Sequence, residues 1–210
     1  MNPIELFDYA GIAVFAATGA LAASRKQLDI VSFLFLGAVT AIGGGTVRDL
    51  ILDAPVFWTE EHNYLIVAGA IAVIVYFTAH LIESRYRLLL WLDAVGLAAY
   101  SVYGAWKGYE LTGSPLVAVV MGVLTATFGG ILRDLLAGEP SVLLKPEIYV
   151  SAALAGAGVY TLTAAFGVEL FLAASLGFAA AFALRLGALR FGWTIPPYRS
   201  RPGRDPDNIP

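Results

Sequence analysis

The sequence predicts an all-α membrane protein with seven transmembrane helices, built as an inverted 3+3 repeat plus one extra helix, with glycine-broken helices 2 and 5. Three observations carry that prediction. The 210 residues are 59% hydrophobic and only 14% charged, against roughly 25% charged residues in a soluble domain, which places most of the chain in lipid. Seven apolar stretches each approach the roughly 20 residues that a spanning helix requires. One stretch is also written twice: GAVTAIGGGTVRDL from Gly37 to Leu50 returns without a gap as GVLTATFGGILRDL from Gly122 to Leu135.

The first span runs from about Leu6 to Ala23. The opening Met1-Asn2-Pro3-Ile4-Glu5 has no basic n-region, so it reads as a span rather than a cleavable signal peptide. The second runs from Ile30 to Leu52 across Gly43-Gly44-Gly45, and the third from Tyr64 to Ile82. The fourth lies between Leu88 and Trp106, the fifth between Leu116 and Leu136 across Gly129-Gly130, and the sixth between Ile148 and Phe166. A short turn at Gly167 leads to the seventh, from Val168 to about Leu189. The chain thus divides into a first three-helix repeat (1–84), a second, inverted one (85–166), a seventh helix (167–191) and a tail (192–210). The tail carries five prolines among arginines and aspartates and is expected to be flexible.

Loop charge sets the expected orientation. With the N-terminus outside, Arg25, Lys26, Arg85, Arg87, Lys145, Arg190, Arg199, Arg201 and Arg204 fall in the cytoplasm, with Arg185 near the inner end of the last helix. Only Lys107 falls in an outer loop, which favours N-out and C-in. Tyr9, Trp58, Tyr64, Trp91, Trp106 and Tyr149 lie near span ends and suit an interfacial belt.

The duplication reaches beyond the glycines at a constant offset of 85: Asp8 matches Asp93, Thr40 matches Thr125, Arg48 matches Arg133, Pro55 matches Pro140 and Tyr64 matches Tyr149. From Asp8 to Ala70 there are 17 identities in 63 positions, where composition alone gives roughly one in twelve. A unit of three spans reverses direction on repetition, hence an inverted repeat.

Glycines at mid-span admit two readings. They break the helix and free backbone groups, which is tolerated only inside protein or beside water, or they let helices pack closely. Arg48 lies 18 residues beyond Ile30, about 27 Å along a helix, so it sits in one half of the membrane and Arg133, by inversion, in the other. An intramembrane arginine needs a partner or hydration. Arg48 is therefore expected near Asp8 or Asp49, and Arg133 near Asp93 or Asp134; the carboxylates alternatively just lock helix ends together. Thr40 and Thr125 either line a path with their hydroxyls or bond to their own helix. His80 suits the interface, and Glu60-Glu61-His62 suits a solvated loop.

No enzyme constellation is present: there is no cysteine, neither histidine belongs to a triad or metal motif, and the glycine stretch lacks the lysine and strand of a phosphate loop. No cofactor, metal or nucleic-acid partner is expected. The paired glycine stretches, each followed by Arg-Asp in a seven-span chain, resemble the trimeric intracellular cation channel (TRIC) family in its prokaryotic branch. That resemblance implies a homotrimer in the lipid bilayer of a prokaryotic plasma membrane with a pore in each subunit, lined by helices 2 and 5 and conducting monovalent cations, chiefly K+. Its pore and gate residues here are Thr40, Gly43, Gly44, Gly45, Arg48, Asp49, Thr125, Phe128, Gly129, Gly130, Arg133 and Asp134, supported by Asp8 and Asp93. Phe128 stands where the first copy has Gly43, so the second stretch is bulkier. The same pattern has been labelled glycine transporter, and a small-solute secondary transporter is the alternative; a non-conducting scaffold is a third reading.

Overall fold

The computed structural model describes residues 3–144 and 147–196, with side chains from residue 7 onward and backbone alone at 144. Lys145 and the tail arginines at 199, 201 and 204, with the expectation of a flexible tail beyond 196, lie outside the described residues.

Eight α-helices follow in order: α1 (Pro3–Arg25), α2 (Ile30–Ile51), α3 (Phe57–Glu60), α4 (Asn63–Thr78), α5 (Arg85–Thr112), α6 (Pro115–Leu136), α7 (Val150–Ala165) and α8 (Leu170–Phe191). All but the one-turn α3 correspond to the seven spans. Six are long and apolar enough to cross a membrane, and α7 is shorter at 16 residues, about 24 Å of helix. Local chemistry sets the starts. Asp29 accepts from the Ser32 amide at 2.8 Å and caps α2, a bond that holds its carboxyl below the usual carboxylate range. Ser114 caps α6, with Pro115 in the first turn.

Two differences from the sequence reading matter. First, α5 continues to Thr112 and stops at Gly113 in the left-handed region (φ 66°). Lys107, expected in a loop, therefore sits inside a helix. Nothing between Trp106 and Thr112 interrupts a helix, and a lysine near a span end can still direct its ammonium to a partner.

Second, α2 and α6 are not broken: both run as continuous helix through their glycines. Each glycine costs a helix about 1 kcal/mol relative to alanine, whereas an unsatisfied backbone group in lipid costs several kcal/mol, so the helical bonds win. The glycines serve a crossing instead. A Cβ on Gly44 would stand 2.3 Å from the Thr125 carbonyl oxygen, and one on Gly129 2.3 Å from that of Thr40. The two helices therefore meet backbone to backbone, as small residues permit at membrane helix interfaces.

The α1–α5 pair forms the centre, flanked by α2 and α4 on one side, α6 and α7 on the other, and α8 against α7 and α5. The repeat is visible in this packing. A Cβ on Gly11 would meet the Tyr100 ring at 2.3 Å, and one on Gly96 the Phe15 ring at 3.1 Å. Phe15 and Tyr100 themselves approach with ring centroids 5.3 Å apart. Each repeat thus lends an aromatic ring to the other's glycine. The alternating helices define two ends: the first end holds the start of α1, the ends of α2 and α5 and the start of α4; the second holds the starts of α5 and α7 and the ends of α6 and α8.

Candidate functional site

Two charged nodes flank the α2–α6 crossing, one near each end. They share a scaffold because the sequences that build them are repeats. Asp49 Oδ2 accepts from the Phe57 amide at 3.0 Å, and Asp134 Oδ2 from the Val142 amide at 3.1 Å. These are equivalent positions at the 85-residue offset. Each aspartate thus ties the end of a long helix to the loop beyond it and keeps its other oxygen for cations.

At the first end, Asp49 Oδ1 is shared by Arg48 Nε at 2.8 Å and Lys107 Nζ at 2.9 Å. The Arg48 guanidinium carbon lies 5.1 Å from the Tyr103 ring centroid and 5.8 Å from that of Phe57, a cation–π arrangement. Asp8 makes no ion pair with Arg48 among the described residues, and its Oδ2 is buried without a hydrogen-bond partner beside Tyr64 and Tyr103. Tyr64 in turn stacks on Tyr9 at 4.7 Å and meets Phe57 edge-on at 4.8 Å.

The second end differs. Arg133 reaches both carboxylates: Nη1 donates to Asp93 Oδ1 at 2.8 Å, while Nε and Nη2 donate to Asp134 Oδ1 at 3.0 and 2.9 Å. The Tyr149 hydroxyl lies 2.6 Å from where a Gly130 Cβ would be, with Asp93 Oδ1 and Arg133 Nη2 at 3.4 and 3.6 Å from the same point. From α8, outside the repeat, Arg185 places its guanidinium carbon 5.1 Å from the Tyr149 ring centroid and donates to Glu147 Oε2 at 3.0 Å.

Arg48, Arg133 and Arg185 are all fully buried, as are Asp8, Asp49 and Asp93. Several buried polar atoms have no partner: Asp8 Oδ2 and Arg48 Nη2 at the first end, and Asp93 Oδ2, the Tyr149 hydroxyl and Arg185 Nε and Nη2 at the second. Such groups are normally satisfied by protein or water, so the nodes are places where water can enter the bundle. A crevice of about 20 Å³ lined by Arg25, Tyr86, Arg133, Asp134 and Glu139 approaches the second node, which is room for one water. Between the nodes the crossing is closed. Thr40 and Thr125 are buried and donate to their own helices, to Leu36 O and Met121 O, each at 2.6 Å. A Gly43 Cβ would meet only the Leu132 side-chain tip at 2.7 Å, and a Gly45 Cβ the Phe57 ring at 2.6 Å. Phe128 is half-buried on α6.

Sequence reasoning missed Lys107, Arg185, Tyr64, Tyr103, Tyr149 and Glu147 as members of the nodes. Tyr64 and Tyr149 are buried inside the bundle rather than belonging to an interfacial belt. The signal was present: they are a repeat pair, and repeated polar residues mark the architecture more than the lipid boundary. Lys107 and Arg185 are single cations within otherwise apolar helical windows, which is itself a pointer to a paired interior charge. Glu61, by contrast, accepts from Tyr9 and Asn63, and among the described residues no group of His, Asp and Glu is placed to hold a metal.

The architecture is that of an internally duplicated multi-pass membrane protein with charged pairs inside its bundle. A family model described as glycine transporter matches residues 5–80 and again 90–165, reproducing the offset of 85. The inner membrane protein YadS of Escherichia coli is 40% identical over 198 residues, covering 91% of this chain and 94% of that one. Among solved structures, the TRIC trimeric intracellular cation channel orthologue from Rhodobacter sphaeroides superposes with a TM-score of 0.89 at 51% identity, covering 92% of this chain and all of the other. A second structure, described in terms of conductance through TRIC cation channels, gives a TM-score of 0.84 at 30% identity and covers 95% of this chain and 98% of its own. This chain belongs to the TRIC family, in its prokaryotic branch. The proteins it matches are described as channels, transporters or membrane proteins, with no enzymatic family among them.

Proposed function

We propose that this chain is a cation channel conducting monovalent cations, chiefly K+, through a path within each subunit of a homotrimer. In this reading the N-terminus faces outside and the C-terminus the cytoplasm. The observation that carries it is the pair of nodes, each with a buried carboxylate oxygen left without a partner, Asp8 Oδ2 and Asp93 Oδ2, on either side of a glycine-mediated helix crossing. The likeness to TRIC cation channels supports the ion.

The route runs along Thr40, Gly43, Gly44 and Gly45 on α2 and Thr125, Phe128, Gly129 and Gly130 on α6. Because the crossing is closed, passage requires α2 and α6 to separate where Gly44 faces Thr125 and Gly129 faces Thr40. Arg48 and Arg133 then set cation occupancy at each end: unit charges a few ångströms apart interact by several kcal/mol at an effective dielectric near 20. Only their paired carboxylates make a passing cation tolerable.

Reconstitution into planar bilayers tests the reading. Unitary currents whose reversal follows the K+ gradient support it, saturable glycine uptake without such currents supports a transporter, and silence in both assays supports a scaffold. Arg48→Ala or Arg133→Ala should change unitary conductance or open probability while K+ remains preferred over chloride. Cysteine at Thr40 or Thr125 should react with hydrophilic thiol reagents in conducting protein, and complete inertness at both positions counts against this route.

A further inference from the structure

Arg185 is the one fully buried cation that α8 contributes among the described residues, and no repeat explains it. We infer that Arg185 is the positioning residue of the second node: it holds the Tyr149 ring so that the phenol stands beside Gly130 and Asp93 without bonding to either. The inference deepens the channel reading, on which its functional consequence rests.

Equivalent positions at the two ends make the argument. At the first end, Tyr64 is held by aromatic neighbours, Tyr9 stacked at 4.7 Å and Phe57 edge-on at 4.8 Å. At the offset of 85 these neighbours become Ala94 and Val142, which cannot grip a ring. The gap is filled from outside the repeat, by the Arg185 guanidinium 5.1 Å from the Tyr149 ring centroid. An arginine stacks on an aromatic face in a way a lysine does not reproduce.

Ion pairing alone does not account for this arginine. Glu147 and the Ile148 carbonyl engage only Nη1, at 3.0 and 3.2 Å, while Nε and Nη2 are buried without a partner. Desolvating two donors is expensive, and a bridge to the partly exposed Glu147 could be made nearer the surface. The placement is intelligible if the ring beneath is what must be held. The consequence lies on Asp93: Tyr149, held by Arg185 without a bond of its own, leaves Asp93 Oδ1 to Arg133 at 2.8 Å and Asp93 Oδ2 open.

The test places 3-fluorotyrosine at position 149, and separately at 64, in the full-length protein in nanodiscs and records fluorine NMR. Arg185→Gln should shift the resonance at 149 and leave that at 64 in place, while Arg190→Gln should move neither. Arg185→Lys, which keeps the charge but not the planar guanidinium, should also shift 149 and serves if the glutamine variant does not fold. An unshifted resonance at 149, or an equal shift at 64 showing general loosening, overturns the inference. Unitary currents then read the consequence: Arg185→Gln and Tyr149→Phe should change the ratio of inward to outward current in the same direction. Wild-type protein silent in bilayers would defeat the channel reading, whereas the fluorine result decides the positioning role on its own.

Discussion

The two nodes have the same backbone and different electrostatics. Both rest on an aspartate that accepts a loop amide eight residues on and leaves one oxygen for cations. At the first end that oxygen takes two cations, Arg48 and Lys107, and the second carboxylate, Asp8, makes no ion pair among the described residues and lies beside Tyr64 and Tyr103. At the second end one arginine bridges both carboxylates. The difference comes from residues that the repeat does not preserve. Lys107 and Tyr103 of α5 correspond to Ala22 and Thr18 of α1, so α1 brings small residues where α5 brings a lysine and a phenol, and α8 supplies Arg185 to the poorer end. A duplicated scaffold can therefore carry two unlike charged nodes.

The largest expected break in this comparison lies at the shared aspartates. Asp49→Asn removes the acceptor of the buried Arg48 and the half-buried Lys107, and uncompensated buried charge costs about 3–5 kcal/mol. Asp134→Asn should cost less, about 1–3 kcal/mol, because Arg133 keeps Asp93 at 2.8 Å. Thermal melts of the purified protein should rank the first well below the second; equal losses would mean the ends are electrostatically alike.

The crossing should respond symmetrically where the nodes do not. Gly44→Ala and Gly129→Ala each press a methyl against a backbone carbonyl 2.3 Å away, and overpacking of this kind costs about 1–3 kcal/mol. The two variants should lose similar stability, while Gly158→Ala, with nothing within 4 Å, should be neutral or gain up to about 1 kcal/mol of helix propensity. A tolerated Gly44→Ala beside an unstable Gly129→Ala would show that the crossing is not the pseudo-symmetric contact described.

Lys107→Met separates the ends further. It removes one of two cations on Asp49 and leaves Arg48 in place, so the cost should be about 1 kcal/mol, with the change in current confined to one voltage polarity. A current altered equally at both polarities would detach Lys107 from the first end.

Much of this was legible in the chain because repetition constrains polar residues more tightly than apolar ones. Asp8 with Asp93, the two Arg-Asp pairs and the spans followed from composition and the constant offset. The glycine breaks did not survive, because glycine's meaning depends on what faces it: opposite a partner backbone it is a contact, and lipid penalises any lost helical bond. The Arg133–Asp93 bond lay within the expected set, whereas the Lys107–Asp49 bond did not, since span counting placed Lys107 outside the helix. Arg185 was counted only among the positive-inside charges, near the inner end of the last helix, since burial on the seventh helix is a tertiary fact that no repeat encodes.

The smallest difference between the ends sits in the turns that close α2 and α6. Both use the same motif: the Ala54 amide donates to Asp49 O at 2.9 Å and the Glu139 amide to Asp134 O at 2.8 Å, each with the preceding amide bonded inside that ring to Leu50 O or Leu135 O. The pivot residue is left-handed in both, but it is Gly138 (φ 61°) at the second end and Asp53 (φ 51°) at the first. Open space surrounds Gly138, so Gly138→Ala should cost only its left-handed strain, about 1–2 kcal/mol, and Gly138→Asn less, since asparagine tolerates that region. Asp53 is exposed, and Asp53→Gly should change stability by under about 0.5 kcal/mol, because relief of strain is offset by the greater freedom of glycine in the unfolded chain. Melts that found Gly138→Ala harmless and Asp53→Gly costly would show that the Asp53 side chain, rather than the turn geometry, holds the end of α2.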